Sequence, residues 1–201
     1  MNLNNFNIFE INKKNIIFIH IPKTGGTSIL SHIYKYFKIN DFSVRHYLAS
    51  EYDETIWSSA YSFCVVRNPF DRLVSHWKYH TTATDSKLFS NLGIENYRNF
   101  TLTEYFNIVE SHNDIVNNWR SMKEFMDTPY KKKIDTILRF EQLQEDWIKR
   151  IPLAKIIGEN LPHVKKSNHL HYAQYYTPEL ISRVSDFYKD DLEAFGYSFN
   201  Y

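Results

Sequence analysis

Residues 15–33, NIIFIHIPKTGGTSILSHI, constrain the fold of this chain more than any other stretch. An apolar run of Ile16, Ile17, Phe18 and Ile19 ends at His20-Ile21-Pro22 and passes through Lys23-Thr24-Gly25-Gly26-Thr27-Ser28. Apolar residues then return at helical spacing, at Ile29, Leu30, Ile33 and Phe37. This order predicts a buried strand, a tight loop, and a helix starting at Gly26 or Thr27. Paired glycines let the backbone turn sharply and let a ligand come close to it. The helix start aims N–H groups without intrahelical partners, and the positive end of its dipole, into the loop. The natural occupant of such a loop is an anion. Lys23 adds a mobile positive charge, and Thr24, Thr27 and Ser28 add hydroxyl donors. The loop is not a Walker A sequence, because the lysine precedes both glycines, which weighs against an ordinary ATPase or GTPase. The plain alternative is a Gly-Gly turn with polar caps and no ligand.

A second unit of the same kind follows. Tyr61-Ser62-Phe63-Cys64-Val65-Val66 reads as another buried strand and runs into Arg67-Asn68-Pro69-Phe70-Asp71-Arg72. Pro69 suits a first helical position, and Phe70, Leu73, Val74 and Trp77 mark one helical face. Residues 134–140, IDTILRF, form a third strand candidate ending at Glu141, with a short helix to follow. Strands of this buried type alternating with helices predict an α/β fold: a P-loop-like central parallel β-sheet flanked by helices on both faces. Ligands bind beyond the carboxyl ends of such strands, which places residues 23–28, 67–72 and Glu141 along one rim.

The remaining segments set the frame. Residues 1–14 are polar and Asn-rich, a loose N-terminal lead-in or an edge strand. Residues 38–52 form a connection that holds Arg45 and His46. Residues 81–98 are polar and irregular, residues 101–127 read as a helical insertion, and residues 161–176 form a loop bearing His and Lys. Pro178 opens the last helix. With 201 residues the chain is a single domain, long enough for a sizeable core.

Charge decides what kind of partner is excluded. A net charge of +1 exerts no general pull on nucleic acid or on an anionic membrane, so anion recognition has to be local. The lone cysteine, Cys64, lies in an apolar strand and reads as a buried reduced thiol. There is no signal-peptide pattern and no apolar run of about 18 residues, so the expectation is a cytoplasmic protein with no transmembrane segment. The glycosylation triplet Asn99-Phe100-Thr101 is read as chance.

The loop HIPKTGGTS at 20–28 and VVRNPFDRLVS at 65–75 occur in order, each after a strand. With LRFEQL at 138–143, LPHVKKS at 161–167 and YYTPEL at 175–180, the sequence resembles the sulfotransferases that use 3′-phosphoadenosine 5′-phosphosulfate (PAPS), specifically the branch that modifies carbohydrate hydroxyls. The resemblance implies that the first loop holds the donor's 5′-phosphosulfate through the N–H groups of Gly25, Gly26 and Thr27, with Lys23 near the bridging oxygen. It also implies that Arg67, by a forked contact, and Ser75, by its hydroxyl, bind the 3′-phosphate. Eight helical residues span about 12 Å, so the two share a phosphate only if Arg67 lies ahead of the helix and reaches along it. Lys166 and Ser167 fall where the family has a loop closing over donor or acceptor, and are carried over as donor contacts. In the family an asparagine commonly precedes the basic residue there, and here Lys165 stands in its place.

Sulfuryl transfer needs a base for the attacking hydroxyl, and histidine has the right pKa range. Of nine histidines, His46 is the candidate, in the connection where related glycan sulfotransferases carry an active-site histidine. Glu141 is the alternative base, or an orienter of His46 or Lys23. His20 reads as a buttress of the loop. His76 and His80 stand at i and i+4 without a third ligand, which favours packing over metal binding, and no metal is expected. Arg45, Arg98, Arg120 and His169 are candidates to touch an acidic acceptor. Two other functions remain open: a nucleotide-binding module without transfer activity, and a small-molecule kinase using ATP.

Overall fold

The computed structural model describes residues 7–38, 45–82, 87–112, 116–162 and 170–200. Its regular elements are β1 (Ile8–Ile11), β2 (Lys14–Ile19), α1 (Gly26–Phe37), α2 (Glu54–Ser59), β3 (Tyr61–Val66), α3 (Pro69–Thr82) and α4 (Lys87–Asn91). They continue with α5 (Leu102–His112), α6 (Met122–Met126), β4 (Thr136–Arg139), α7 (Leu143–Arg150), α8 (Ala154–Ile157), α9 (Pro178–Phe187) and α10 (Lys189–Phe195). The chain divides into two compact units, one from Met1–Arg67 with Ser121–Lys166, the other from Asn68–Arg120 with Ser167–Tyr201.

The first unit is a four-stranded sheet in the order β1-β2-β3-β4. Helical connections make β2, β3 and β4 parallel, with Phe18 opposite Phe63 and Val65 opposite Leu138. The sheet is not parallel throughout. Within the stretch read as a loose lead-in or an edge strand, Ile8–Ile11 form an antiparallel edge strand. The turn is Asn12-Lys13, both with positive φ (52° and 63°), the backbone that joins two strands in the tightest hairpins. The apolar signal of Ile8, Phe9 and Ile11 was masked by the asparagines around it, yet all three side chains are buried.

Every second strand residue faces one core. Phe9, Ile11, Phe18, Phe63, Val65 and Leu138 meet Ile29, Leu30, Ile33 and Tyr34 of α1 and Trp147 of α7. The alternate residues Ile17, Ile19, Cys64 and Val66 are buried as well, which explains why these strands read as continuous apolar runs. The Cys64 thiol is free, and burial raises its pKa far above the ordinary value. This is a mixed α/β protein with a central sheet flanked by helices.

The second unit is helical, with its own core of Phe70, Leu73 and Val74 from α3, Tyr105 and Phe106 from α5, Trp119, and Leu180 and Val184 from α9. The Asn68 carboxamide oxygen accepts from the Phe70 N–H (3.0 Å) and Pro69 opens α3, as its fixed φ favours. Of the stretch 101–127, read as a helical insertion, α5 lies in this unit and α6 in the other. The stretch 81–98, expected to be irregular, contains α4, whose Phe89 is buried and stacked on Tyr97.

Candidate active site

The strand-loop-helix unit is built as the sequence predicted, but its two glycines serve different ends. Gly25 has φ 85°, a conformation that side chains resist, and an added Cβ would also come 2.9 Å from the Phe140 ring. Gly26 has ordinary helical geometry; there a Cβ would come 2.2 Å from the His20 ring. Lys23 also adopts positive φ, 66°. Thr24 is buried and its hydroxyl donates to the Ile21 carbonyl (2.9 Å), so it braces the loop rather than facing a ligand.

The start of α1 differs from those of α2, α6 and α9. Asp53 caps α2, Ser121 caps α6 and Thr177 caps α9, each accepting from first-turn N–H groups, and each of these first turns carries a glutamate. At α1 no side chain caps the end and the first turn has no acidic residue. A carboxylate-free start with N–H groups directed outward is what an anion requires.

The second motif meets this loop. Arg67, 4% exposed at the end of β3, donates from Nη1 to the Lys23 carbonyl (3.0 Å). Its guanidinium lies 4.1 Å from the centre of the Phe140 ring, and its main-chain N–H points at Met122 Sδ (3.3 Å). Arg67 therefore reaches the loop through the main-chain carbonyl of Lys23. Phe140 went unremarked in sequence. One aromatic ring flanks Gly25 and carries the Arg67 cation, and only its position after β4 hinted at this.

The histidines form a second cluster beside the loop. His46 is half-buried and its Nδ1 lies 2.7 Å from the His20 carbonyl oxygen. A carbonyl only accepts, so Nδ1 carries a hydrogen, and in the neutral ring Nε2 is the basic nitrogen. The His20 ring is buried, stacks on Phe18 and lies 4.4 Å from the His46 ring, centre to centre. Burial first, and the charge His46 would carry second, hold its pKa well below the ordinary value. The reading of His20 as a loop buttress matches this packing against Gly26.

Other candidates are more scattered. Glu141 is exposed on the 3-10 turn Phe140–Gln142, directly after the Phe140 platform. Ser75 is buried on α3 in the second unit. Lys165, Lys166, Ser167 and His169 lie outside the described residues. Arg45 is exposed, Arg98 sits over the Tyr97 ring, and Arg120 is half-buried. His76 and His80 are buried, with the Tyr105 hydroxyl 2.8 Å from His80 Nδ1, which is a packing role. Among the described residues, no trio of His, Cys, Asp or Glu is arranged to hold a metal ion.

A glycine turn and an uncapped helix start follow one parallel strand of this α/β protein, and a buried arginine after the next strand is seated on the turn. The chain belongs to the sulfotransferase family: the model described as "Sulfotransferase family" matches residues 6–198. Among solved structures it is similar to mouse sulfotransferase SULT7A1 complexed with PAP, at 14% identity and a TM-score of 0.51. That match covers 94% of this chain and 88% of the mouse chain, and at this identity the likeness is one of fold. No curated protein matches the chain at a significant level.

Proposed function

We propose that this protein is a PAPS-dependent O-sulfotransferase acting on a carbohydrate hydroxyl, with residues 1–201 as one sulfotransferase domain. The family match runs through both compact units. The observation that carries the donor assignment is the Arg67 guanidinium bonded to the Lys23 carbonyl beside the uncapped, carboxylate-free start of α1. A guanidinium after β3 and the positive end of α1, both at the Lys23 loop, suit a nucleotide with a phosphosulfate at one end and a phosphate at the other. The mouse structural neighbour is complexed with PAP, the nucleotide left when PAPS gives up its sulfuryl group.

In this reading the N–H groups of Gly25, Gly26 and Thr27, with the Thr27 and Ser28 hydroxyls, hold the 5′ end, and Lys23 faces the bridging oxygen. Arg67, and Ser75 by its place in the motif, hold the 3′-phosphate. Lys166 and Ser167 add donor contacts, while Thr24 shapes the loop. PAPS supplies a sulfuryl group attached to a phosphate leaving group. The acceptor oxygen forms the new S–O bond in line as the old S–O bond to phosphate breaks, and its proton passes to Nε2 of His46. Lys23 and the α1 N-terminus stabilise the charge that collects on the leaving phosphate. Glu141 is the alternative base. No resident metal is part of this assignment.

The test is a thermal-shift comparison of PAP with ADP and ATP, followed by turnover of labelled PAPS against a glycan set. A ligand at about one hundred times its Kd adds about 2.7 kcal/mol to the folded state. PAP alone is expected to stabilise the protein. Equal stabilisation by ATP with magnesium would turn the reading to a kinase, and PAP binding without turnover on any hydroxyl would turn it to an inactive binding module. Sulfation confined to non-sugar alcohols would remove the carbohydrate part alone. His46→Gln is expected to abolish turnover while leaving PAP binding intact; if turnover survives, Glu141 takes the base role.

A further inference from the structure

We infer that Asn7 is a positioning residue for His46, clamping the segment that carries the imidazole onto β2 so that Nε2 is the ring's basic nitrogen. The inference rests on the reading of His46 as the base and adds the device that orients it. Asn7 is 1% exposed, immediately before β1, with φ 51°. Its carbonyl accepts from the Phe18 N–H (3.1 Å), continuing the β1–β2 ladder by one residue. Its Nδ2 donates to the Arg45 carbonyl (3.0 Å). One residue further on, His46 Nδ1 donates to the His20 carbonyl (2.7 Å).

The held segment is thus tied at two consecutive residues to two points on the same run of chain, Phe18 through Asn7 and His20 directly. Residues two apart on an extended strand are about 7 Å apart, so two such ties fix both the position and the direction of the segment. Only one ring nitrogen of His46 then reaches the His20 carbonyl, and the tautomer follows from the anchor.

The residue type fits the task. Asparagine tolerates positive φ better than most side chains, and its carboxamide supplies the N–H that the Arg45 carbonyl accepts. Aspartate in the same place would turn an oxygen toward that carbonyl. A clamp of this kind resists the small displacement of a base that costs turnover without touching donor binding.

The experiment compares the wild-type protein with Asn7→Gly and Asn7→Asp. Glycine keeps the positive φ and deletes the carboxamide; aspartate keeps the shape and deletes the donor, so a folding failure in one leaves the other to decide. The first readout is the tautomer of His46 in protein labelled with nitrogen-15 histidine, the resonance being assigned with His46→Gln. The second is kcat against the donor KM and PAP affinity. The expected result is an Nδ1–H tautomer in the wild type that loses population in both variants. With it, kcat should fall about tenfold at unchanged donor KM and PAP affinity. An Nε2–H tautomer in the wild type, an Nδ1–H tautomer unchanged in both variants, or PAP affinity falling in step with kcat would overturn the inference. A released ring with kcat unchanged would leave the clamp standing and remove His46 as the base, which separates this inference from the reading beneath it.

Discussion

At the residue scale, the loop between β2 and α1 has its shape because particular atoms are missing. Gly26→Ala would place a methyl 2.2 Å from the His20 ring, which is buried, stacks on Phe18 and lies 4.4 Å from the His46 ring. Overpacking of this kind costs about 1–3 kcal/mol, so the denaturant midpoint of Gly26→Ala is expected to drop accordingly. An unchanged midpoint would mean that the ring moves freely. His20 also makes a prediction about pH. Its folded pKa is depressed below the ordinary 6.5, chiefly by burial and then by His46. Below that value the unfolded chain takes up a proton that the folded chain refuses, so stability is full above it and declines as pH falls through and below it. Urea midpoints between about pH 8 and about pH 5 should show the decline, and His20→Phe should flatten this part of it. A wild-type midpoint that rises on acidification over this window would contradict the assignment.

At the element scale, the start of α1 is the feature to perturb. A carboxylate in a helix's first turn ordinarily stabilises it by about 0.3–1 kcal/mol, and three other helices here carry a side-chain cap together with an acidic first turn. Thr27→Asp is therefore expected to leave stability unchanged or slightly higher while PAP affinity falls by more than about tenfold, because the carboxylate occupies the anion's field. Calorimetric titration with PAP beside a thermal melt reads both signs at once. A fall in stability with affinity intact would show that the end of α1 is an ordinary helix start. β1 shows how an element escapes a sequence reading: three buried apolar residues in a four-residue strand become legible only once the Asn12-Lys13 turn folds them back along β2.

At the scale of the whole molecule, the chain crosses between its two compact units at Arg67–Asn68, Arg120–Ser121 and Lys166–Ser167, and each unit has its own core. Leu180→Ala removes a buried side chain from the second core, a change that costs about 2–5 kcal/mol. Hydrogen exchange should then show its largest loss of protection in α3, α5 and α9. Equal loss across β2 and β3 would show that both cores open as one cooperative body.

The local chemistry of the two motifs was legible in the amino-acid order. Apolar runs stopped by glycine or by Arg-Asn-Pro mark β2, α1, β3 and α3 to within two residues, because period and capping are properties of neighbours along the chain. The short helices α2, α4 and α8 were not legible, since four to six residues hold too few turns to show a period. Nor were the groups that join the motifs. Arg67 on the Lys23 carbonyl, Phe140 against both Gly25 and that guanidinium, and Asn7 on the Arg45 carbonyl next to His46 are contacts between residues 44, 73 and 38 positions apart or more. The sequence by itself determined which groups can hold an anion and give up or take a proton. Which of them meet, and in which tautomer, was decided by the tertiary structure, because hydrogen bonds and ring contacts act over a few ångströms of space and not over distance along the chain.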